Sequence, residues 1–186
     1  MALPKLRKVG ESTPTSKKKK ILLLSDDLRM HSGIATQSKE FVMGTSDKYD
    51  WVQVGGAVKH PDEGKIIDMS EAVRTELGIT DGYLKIYPIS GYGNPDMIRS
   101  VLRNHKPDLL WFMTDPRFWT WLWAMDNEVR THIPMVYHHV WDNKPYPVFN
   151  KGYYSSNDKI VCISKVTHDI VQTVAPDVDS VYLPHA

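Results

Sequence analysis

The fold is decided by the segment ILLLSDDLRMHSGIATQSKEFVMG, residues 21–44. Its first part, ILLLSDD (21–27), is a short apolar run, which is typical of a strand buried on both faces of a sheet. Its last part, GIATQSKEFVMG (33–44), carries apolar residues at helical spacing and ends on a glycine. A buried strand followed at once by a helix predicts the first half of a parallel β–α unit.

The same alternation continues along the rest of the chain. Short apolar or alternating segments predict strands at 49–56, 83–90, 107–113, 133–139, 158–164 and 180–184. Helical spacing predicts helices at 69–79, 94–105, 116–129 and 165–175. Asn94 is a suitable N-cap for the second of these helices, and Pro95 then occupies the first helical position. Strands that alternate with helices predict one doubly wound, mostly parallel, Rossmann-like α/β domain.

The amino-acid composition limits the classes of protein to which this chain can belong. The chain has 186 residues and is 41% apolar, which suits one globular domain. Its 23 basic and 22 acidic residues give a net charge of +1, so no general field favours nucleic acid. The single cysteine, Cys162, lies in the apolar run KIVCIS and is expected to be a buried hydrophobe. One unpaired cysteine fits a reducing compartment, and we expect a cytoplasmic protein.

The first residues, MALPKLRKVGESTPTSKKKK, are polar and end in a run of lysines. We expect residues 1–19 to be a disordered basic leader, followed by a globular domain over 20–186. A lysine run before a strand is usually a solvated flank, although peripheral contact with a membrane surface remains an alternative. No secretory signal is recognisable, and no apolar stretch is long enough to predict a transmembrane segment.

The predicted topology gathers the polar loops at one edge of the sheet. Right-handed crossovers place every strand-to-helix loop at the carboxyl ends of the strands, where ligands of such sheets bind. The loops expected there are 25–33, 55–60, 90–94, 114–117, 138–147 and 163–165. The sequence therefore predicts a cleft that several loops build together.

Two loops carry the main candidates. Ser32 and Gly33 open the first helix, where free N–H groups favour a phosphate or sugar, but a tight turn explains the glycine equally well. The segment HSGIAT has neither the G-x-G-x-x-G fingerprint nor a Walker loop, which argues against nicotinamide, flavin and ordinary P-loop enzymes. At the other loop, His138 is expected to be structural. His139 with Asp142 is the predicted catalytic pair, as general base or donor to a sugar hydroxyl.

The other candidate residues have a structural interpretation, such as helix capping or core packing, beside the functional one. Asp115 and Ser164 are each well placed to cap a helix, and substrate contact is the alternative. Trp141 and Lys165 are predicted to contact substrate because their loops belong to the same edge. The tryptophans between 111 and 123 are expected to pack in the core, although one of them could stack on a sugar or lie at a membrane interface. No metal is expected, because no metal-ligand spacing is present.

Three segments resemble a known family. The run KIVCISKVTHDIVQTVAPDVDSVYLPHA (159–186) is similar to the end of the N-terminal domain of GT-B glycosyltransferases of family 4. There a strand ending in serine leads to a helix, and the next strand ends in PHG or PNG at the interdomain hinge. Here the hinge reads LPHA, with Ala186 where glycine is common. The loop SDDLRMHSGIATQSKEF (25–41) resembles the family's opening glycine loop, and IPMVYHHVWDN (133–143) resembles its strand leading to a histidine or acid.

The resemblance implies transfer of a sugar, with retention, from a nucleotide-sugar donor to a sugar or lipid-linked acceptor. In that family the N-terminal domain mainly binds the acceptor and a C-terminal domain holds the donor. Gly33 would then approach the donor phosphates, and His139 or Asp142 the reacting sugar. The nucleotide sugar is substrate, and no cofactor or metal is implied.

The family's C-terminal domain has no counterpart in residues 1–186. By resemblance the chain is therefore expected to be half of an enzyme, either truncated or completed by a partner chain, and inactive alone. Two other classes remain: a non-catalytic module that binds nucleotides or sugar phosphates, and an interaction protein that binds a partner chain through its hinge face.

Overall fold

An eight-stranded sheet forms the centre of the computed structural model, which describes residues 17–184. The strands are β1 (Lys19–Asp26), β2 (Tyr49–Ala57), β3 (Ile67–Asp68), β4 (Leu84–Ser90), β5 (Leu109–Met113), β6 (Met135–His139), β7 (Lys159–Cys162) and β8 (Ser180–Tyr182). Their order across the sheet is β3-β4-β2-β1-β5-β6-β7-β8. Every pairing is parallel except that of β3 with β4. The predicted Rossmann-like fold class is confirmed.

Helices pack on both faces of the sheet. They are α1 (Gly33–Thr45), α2 (Ser70–Leu77), α3 (Pro95–His105), α4 (Thr120–Trp123), α5 (Asp126–Arg130), α6 (Lys151–Ser155) and α7 (Lys165–Val174). On one face α1 and α2 pack around the buried side chains of Leu23, Trp51 and Ile86. On the other face α3 to α7 pack around a larger core that includes Phe112 and Tyr137. Helices on both faces explain why the central strand β1 is a continuous apolar run.

Local signals fix the ends of several helices. Asn94 caps α3, since its Oδ1 atom accepts a hydrogen bond from Met97 N at 3.0 Å, and Pro95 takes the first helical position as predicted. Ser32 caps α1 and Ser164 caps α7 in the same way. Helix α2 ends at Gly78, whose left-handed conformation (φ 65°) is the usual helix terminator.

The single helix predicted over 116–129 is wrong. The chain forms a 3-10 turn at Pro116–Trp119 and then the two short helices α4 and α5. The break falls just before Asp126, whose carboxylate accepts a hydrogen bond from Asn127 N at 2.7 Å. Short polar side chains of this kind compete with the helical backbone for hydrogen bonds, so they favour a new helix start over continuation.

The sheet has a topological switch point between β1 and β5. From β1 the chain winds through α1 to β2 on one side, and from β4 it returns through α3 to β5 on the other side. The loops that leave the carboxyl ends of β1 and β5 therefore diverge and open a crevice, which is where ligands bind in sheets of this kind.

Parts of the predicted organisation lie outside the described residues. These are residues 1–16 of the expected leader and the last two residues of the LPHA hinge segment; β1 itself begins at Lys19. Within residues 17–184, no helix has the length and apolar character needed to cross a membrane. Cys162 is completely buried, as predicted, and burial raises the pKa of its thiol to about 12.

Candidate functional site at the carboxyl edge

A half-buried carboxylate lies at the switch point, where β1 ends. Asp26 Oδ2 accepts a hydrogen bond from Ser32 Oγ at 2.5 Å, and Asp26 Oδ1 accepts one from Tyr92 Oη at 2.9 Å. Ser32 Oγ in turn accepts from Ala35 N at the start of α1. Burial and the hydrogen bond to Asp26 raise the pKa of Tyr92 above its usual value. Asp26, Ser32, Gly33, Tyr92 and Phe118 are hereafter called the Asp26 crevice.

Glycines allow Tyr92 to reach across the sheet from β4 to β1. Gly91 and Gly93 flank Tyr92 with φ values of 76° and 96°, which side chains other than glycine rarely adopt. The strand between β4 and β1 is β2, and a Cβ atom on its Gly56 would collide with the carbonyl oxygen of Gly91. The same Cβ would lie 3.2 Å from the Tyr92 ring. These three glycines therefore serve one contact, that between Tyr92 and Asp26.

A buried glutamine holds the backbone of the first loop. Gln53 Nε2 donates to Ser25 Oγ (2.9 Å) and to the carbonyl oxygen of Asp26 (2.7 Å), while its Oε1 accepts from Leu28 N (3.2 Å). Gln53 is completely buried on the neighbouring strand β2. A buried polar side chain with three partners fixes the position of Asp26, because losing any partner would leave a polar group unsatisfied.

Asp27, next along the chain, belongs to a separate ionic cluster. Its carboxylate is completely buried and accepts hydrogen bonds from Arg29 N, Nε and Nη2, and from His60 Nε2 at 3.0 Å. Burial raises the pKa of Asp27, but hydrogen bonds from Arg29 and its charge outweigh that effect and lower it. His60 Nδ1 accepts from Asp62 N, and its Nε2 therefore donates to Asp27. Asp27, Arg29 and His60 are therefore bonded to one another, and they hold the loop after β2 in place.

An open pocket lies between the loops that follow β5 and β6. It has a volume of about 230 Å³ and is lined by Asp115, Pro116, Arg117, Val140, Trp141, Asp142 and Asn143, hereafter the Trp141 pocket. Asp115 and Arg117 form a bidentate pair with Nε–Oδ1 and Nη2–Oδ2 distances of 2.8 and 2.7 Å. Burial raises the pKa of Asp115, but the hydrogen bonds and charge of Arg117 outweigh it and lower that pKa. Asp115 also caps the following 3-10 turn, as predicted, by accepting from Arg117 N.

His139 occupies the centre of a buried hydrogen-bond chain beside this pocket. Tyr137 Oη donates to the carbonyl oxygen of Thr114 (2.8 Å), so it accepts from His139 Nδ1 (3.2 Å). His139 Nε2 then accepts from Tyr154 Oη (2.7 Å), which itself accepts from Asn150 Nδ2 (3.4 Å). Burial lowers the pKa of His139 to about 3, so the ring is neutral. Asn150, Tyr154, His139, Tyr137 and Thr114 are called the His139 chain below.

The burial of His139 affects its predicted role as one member of the catalytic pair with Asp142. No part of His139 is exposed and both ring nitrogens have partners, so in this conformation the ring contacts no substrate. Its hydrogen bonds end at Thr114, which has a φ of 112° and immediately precedes Asp115. The geometry favours a positioning role, and the catalytic role of His139 stays a prediction. Asp142 is exposed in the Trp141 pocket and is free to meet a ligand.

The other predicted site residues lie at the same edge. Gly33 is exposed at the start of α1, and a Cβ atom built on it meets nothing within 4 Å, so packing does not require glycine there. Ser164 caps α7 at the end of β7, and Lys165 is exposed beside it. His138 is completely buried, in keeping with its predicted structural role. Substrate contact by Gly33, Ser164 and Lys165 stays a prediction.

Trp119 and Trp123 are buried in the core as predicted, while Trp111 and Trp121 pack against it.

Elsewhere the molecule offers a larger cavity. It measures about 390 Å³ and lies between α3 and α5, with a mainly apolar lining that includes Leu102, Val129 and Ile133. Its basic residues Arg103 and Lys106 lie at the end of α3, where they complement the helix dipole. Across residues 17–184, no group of three or more histidine, cysteine or acidic side chains is arranged to hold a metal ion.

The sequence patterns do not identify Asp26, Tyr92 or Phe118 as site residues. The sequence patterns place Asp26 and Tyr92 in loops, Gln53 in a strand and Phe118 in a helix, and they predict no contact between these residues. One signal was present, because the glycine pair 55–56 and the segment GYG (91–93) both mark close backbone approach. Nothing in the sequence, however, pairs Tyr92 with a carboxylate 66 positions away.

Comparison with known proteins adds a likeness of fold. No protein-family model matches the sequence, and no curated protein sequence matches it. The crystal structure of Medicago truncatula UGT71G1 complexed with UDP-glucose is similar over 91% of this chain, at 10% sequence identity and a TM-score of 0.47. The match covers 52% of that protein, so this chain spans about half of its length. At such identity and score the likeness says nothing about the chemistry of the site.

Proposed function

We propose that this chain is the acceptor-side half of a two-domain glycosyltransferase of the GT-B type, family 4, which transfers a sugar with retention from a nucleotide sugar. The observation that carries the proposal is the Trp141 pocket. It combines an indole with a guanidinium and two carboxylates at the edge of the sheet where ligands of this fold bind. The family resemblance of the three sequence segments supports the assignment.

The chemistry of the Trp141 pocket suits a sugar. A sugar ring has apolar C–H faces and a rim of hydroxyl groups, so its recognition needs an apolar surface with convergent polar groups. Trp141 is half-buried and donates its Nε1 proton to the carbonyl oxygen of Asn143 at 3.1 Å, which fixes the indole. Asp115 orients the exposed Arg117. Asp142 and Arg117 then accept from and donate to hydroxyls on the ring.

A second domain completes the enzyme in this proposal. The Trp141 pocket is open, and an activated sugar held there alone would meet water. A C-terminal domain or partner chain that closes over the carboxyl edge would exclude water and hold the nucleotide, as closing domains do in other enzymes. In this scheme Asp142 faces the reacting sugar, while the His139 chain positions the backbone at Thr114 and Asp115. The buried Cys162 is compatible with a reducing compartment such as the cytoplasm.

The Trp141 pocket provides the test of the proposal. The 186-residue chain is titrated by calorimetry with methyl glucoside and with UDP-glucose. We expect saturable binding of the glucoside with a dissociation constant of roughly 1 mM, since few polar contacts are available without a second domain. Trp141→Ala should weaken this binding by about tenfold, a loss of about 1.4 kcal/mol.

Tyr49→Ala is the matched control, because Tyr49 is an exposed aromatic residue at the amino end of β2, the opposite edge of the sheet. Its binding should equal that of the native chain. Equal losses in both variants, or no binding of either sugar, would overturn the proposal. Micromolar binding of UDP-glucose by the chain alone would replace it with a nucleotide-sugar binding module.

A further inference from the structure

The cavity between α3 and α5, hereafter the α3–α5 cavity, lies towards the amino edge of the sheet, away from the candidate site. Its volume of about 390 Å³ is within the range of small-molecule pockets. Its apolar lining comes from Leu102 on α3, Val129 on α5 and Ile133 in the segment that leads into β6. Leu102 and Ile133 remain partly exposed. An apolar recess of this size can therefore bury an apolar group of a ligand.

An ion pair fixes one wall of the α3–α5 cavity. Arg99 on α3 donates from Nε to Glu128 Oε1 at 2.7 Å and from Nη2 to Glu128 Oε2 at 2.8 Å. A bidentate pair is directional, so it orients α5 against α3. Arg99 also donates to Asp96 on its own helix. The charges of this pair are therefore balanced within the protein and leave no cation for a ligand.

Two other cations at the cavity have no acidic partner. Arg103 and Lys106 both line it and are exposed, and within residues 17–184 neither side chain forms an ion pair or a hydrogen bond. Both lie at the end of α3, where a positive charge complements the helix dipole. That role accounts for their charge. It does not account for an apolar recess directly beside two unpaired cations.

A second cavity continues the positive charge from Lys106 towards the start of β1. It measures about 540 Å³, and Lys106 lines both cavities. Lys17, Lys19 and Lys20 also line it, hereafter the lysine pocket. The acidic residue of its lining is Asp108, which already accepts from Lys19 Nζ at 2.7 Å and from Lys20 N at 2.8 Å. An apolar cavity thus opens beside a cationic one.

We propose that the α3–α5 cavity and the lysine pocket together bind an anionic amphiphile, a single alkyl or acyl chain with a phosphate head group. The chain lies against Leu102, Val129 and Ile133, and the phosphate accepts charge-assisted hydrogen bonds from Arg103 and Lys106. This site lies away from the carboxyl edge. It is therefore separate from the Trp141 pocket and does not depend on the proposed function.

The shape and charge of the site favour an amphiphile over its two simpler relatives. Free phosphate would gain only contacts with exposed side chains, which salt screens and which lose freedom on binding. A bilayer surface requires apolar side chains that protrude, whereas Leu102, Val129 and Ile133 line a recess. A chain with a phosphate head uses both halves of the site, and each buried CH₂ group strengthens its binding by up to about fourfold.

Titration of the 186-residue chain with decyl phosphate, below its micelle concentration, tests the proposal. Backbone amides of Leu102, Val129 and Ile133 report on the α3–α5 cavity by NMR, and the indole N–H of Trp141 reports on the carboxyl edge. We expect saturable shifts at the cavity and none at Trp141. Hexyl phosphate, which is four CH₂ groups shorter, should bind at least about tenfold more weakly. Inorganic phosphate at the same concentration should shift none of these signals.

The double variant Arg103→Gln/Lys106→Gln should bind decyl phosphate at least about tenfold more weakly, because the head group loses both partners. Both side chains are exposed and unbonded, so the variant keeps the fold. Lys39→Gln/Lys48→Gln is the matched control. It removes the same charge from exposed residues on and just after α1, which packs on the other face of the sheet, and its affinity should equal that of the native chain.

Equal weakening in the two double variants would reduce the effect to net charge and overturn the site. Equal affinities for decyl and hexyl phosphate, or no saturable shift at the cavity, would also overturn it. Co-sedimentation of the chain with phosphatidylglycerol vesicles, without decyl phosphate shifts at the cavity, would replace the site with a membrane-binding surface. Each of these outcomes leaves the proposed function standing, because that function is tested by glucoside binding at the Trp141 pocket.

Discussion

Replacing His139 by phenylalanine is expected to make stability less sensitive to acid, by about 3 kcal/mol between pH 7 and pH 4. The pKa of His139 is about 3 in the folded chain, because burial disfavours the imidazolium, against 6.5 for a free histidine. Between these values the unfolded state binds a proton that the folded state does not. The stability that neutral His139 contributes is therefore complete above pH 6.5 and is lost as the pH falls towards 3.

Urea unfolding of both proteins at pH 7 and pH 4 measures this effect. At pH 7 the variant should be less stable by about 3 kcal/mol, because Tyr137 and Tyr154 lose their buried partner. At pH 4 the two stabilities should be nearly equal. His132→Phe is the control for the substitution itself: His132 is exposed, so this variant should change the stability at pH 7 by less than about 0.5 kcal/mol. The same loss of stability with acid in native and His139→Phe proteins would show that His139 is accessible and titrates normally.

The second large effect is expected at Gly56. Gly56→Ala should lower the free energy of unfolding by about 3 kcal/mol, at the upper end of overpacking costs. The added methyl group would collide with the backbone oxygen of Gly91, which cannot move as a flexible side chain would. Relief of that collision displaces the segment that carries Tyr92, so the contact with Asp26 should weaken as well.

Gly44→Ala is the control for Gly56. Gly44 lies within α1, and a Cβ atom there meets nothing within 4 Å. Alanine should therefore raise the free energy of unfolding by about 0.5–1 kcal/mol, as expected from helix propensity. Urea unfolding curves of the two variants give both values. A Gly56→Ala protein as stable as the native chain would mean that the loop around Tyr92 is not packed as described.

The sequence allowed most of the fold to be predicted, because buried parallel strands and amphipathic helices have distinct periods. The failures have local causes. Strand β3 has only two residues, Ile67 and Asp68, too few for an alternating pattern. The segment 116–129 has helical spacing, but Asp126 interrupts it. Helix α6 has five residues and follows two prolines, and the sequence pattern predicts no helix there.

The location of the candidate site could be predicted, but its geometry could not. Topology alone places the polar loops at one edge, and the structure confirms that placement. The roles of the side chains at this edge depend on contacts between elements that are distant in sequence, such as Tyr92 with Asp26 and Tyr154 with His139. Strand alternation sends His138 and His139 to opposite faces, but both are buried, His138 against Phe41 and Trp111 on one face and His139 within its hydrogen-bond chain on the other.

The central claim is that the carboxyl edge of this sheet, between β1 and β6, binds sugar. The most direct measurement is a map of backbone amide shifts along the chain during titration with methyl glucoside. We predict that the shifts concentrate in residues 26–33, 90–93, 114–118 and 140–143. Shifts concentrated instead around the cavity between α3 and α5, in residues 99–107 and 128–133, would contradict it.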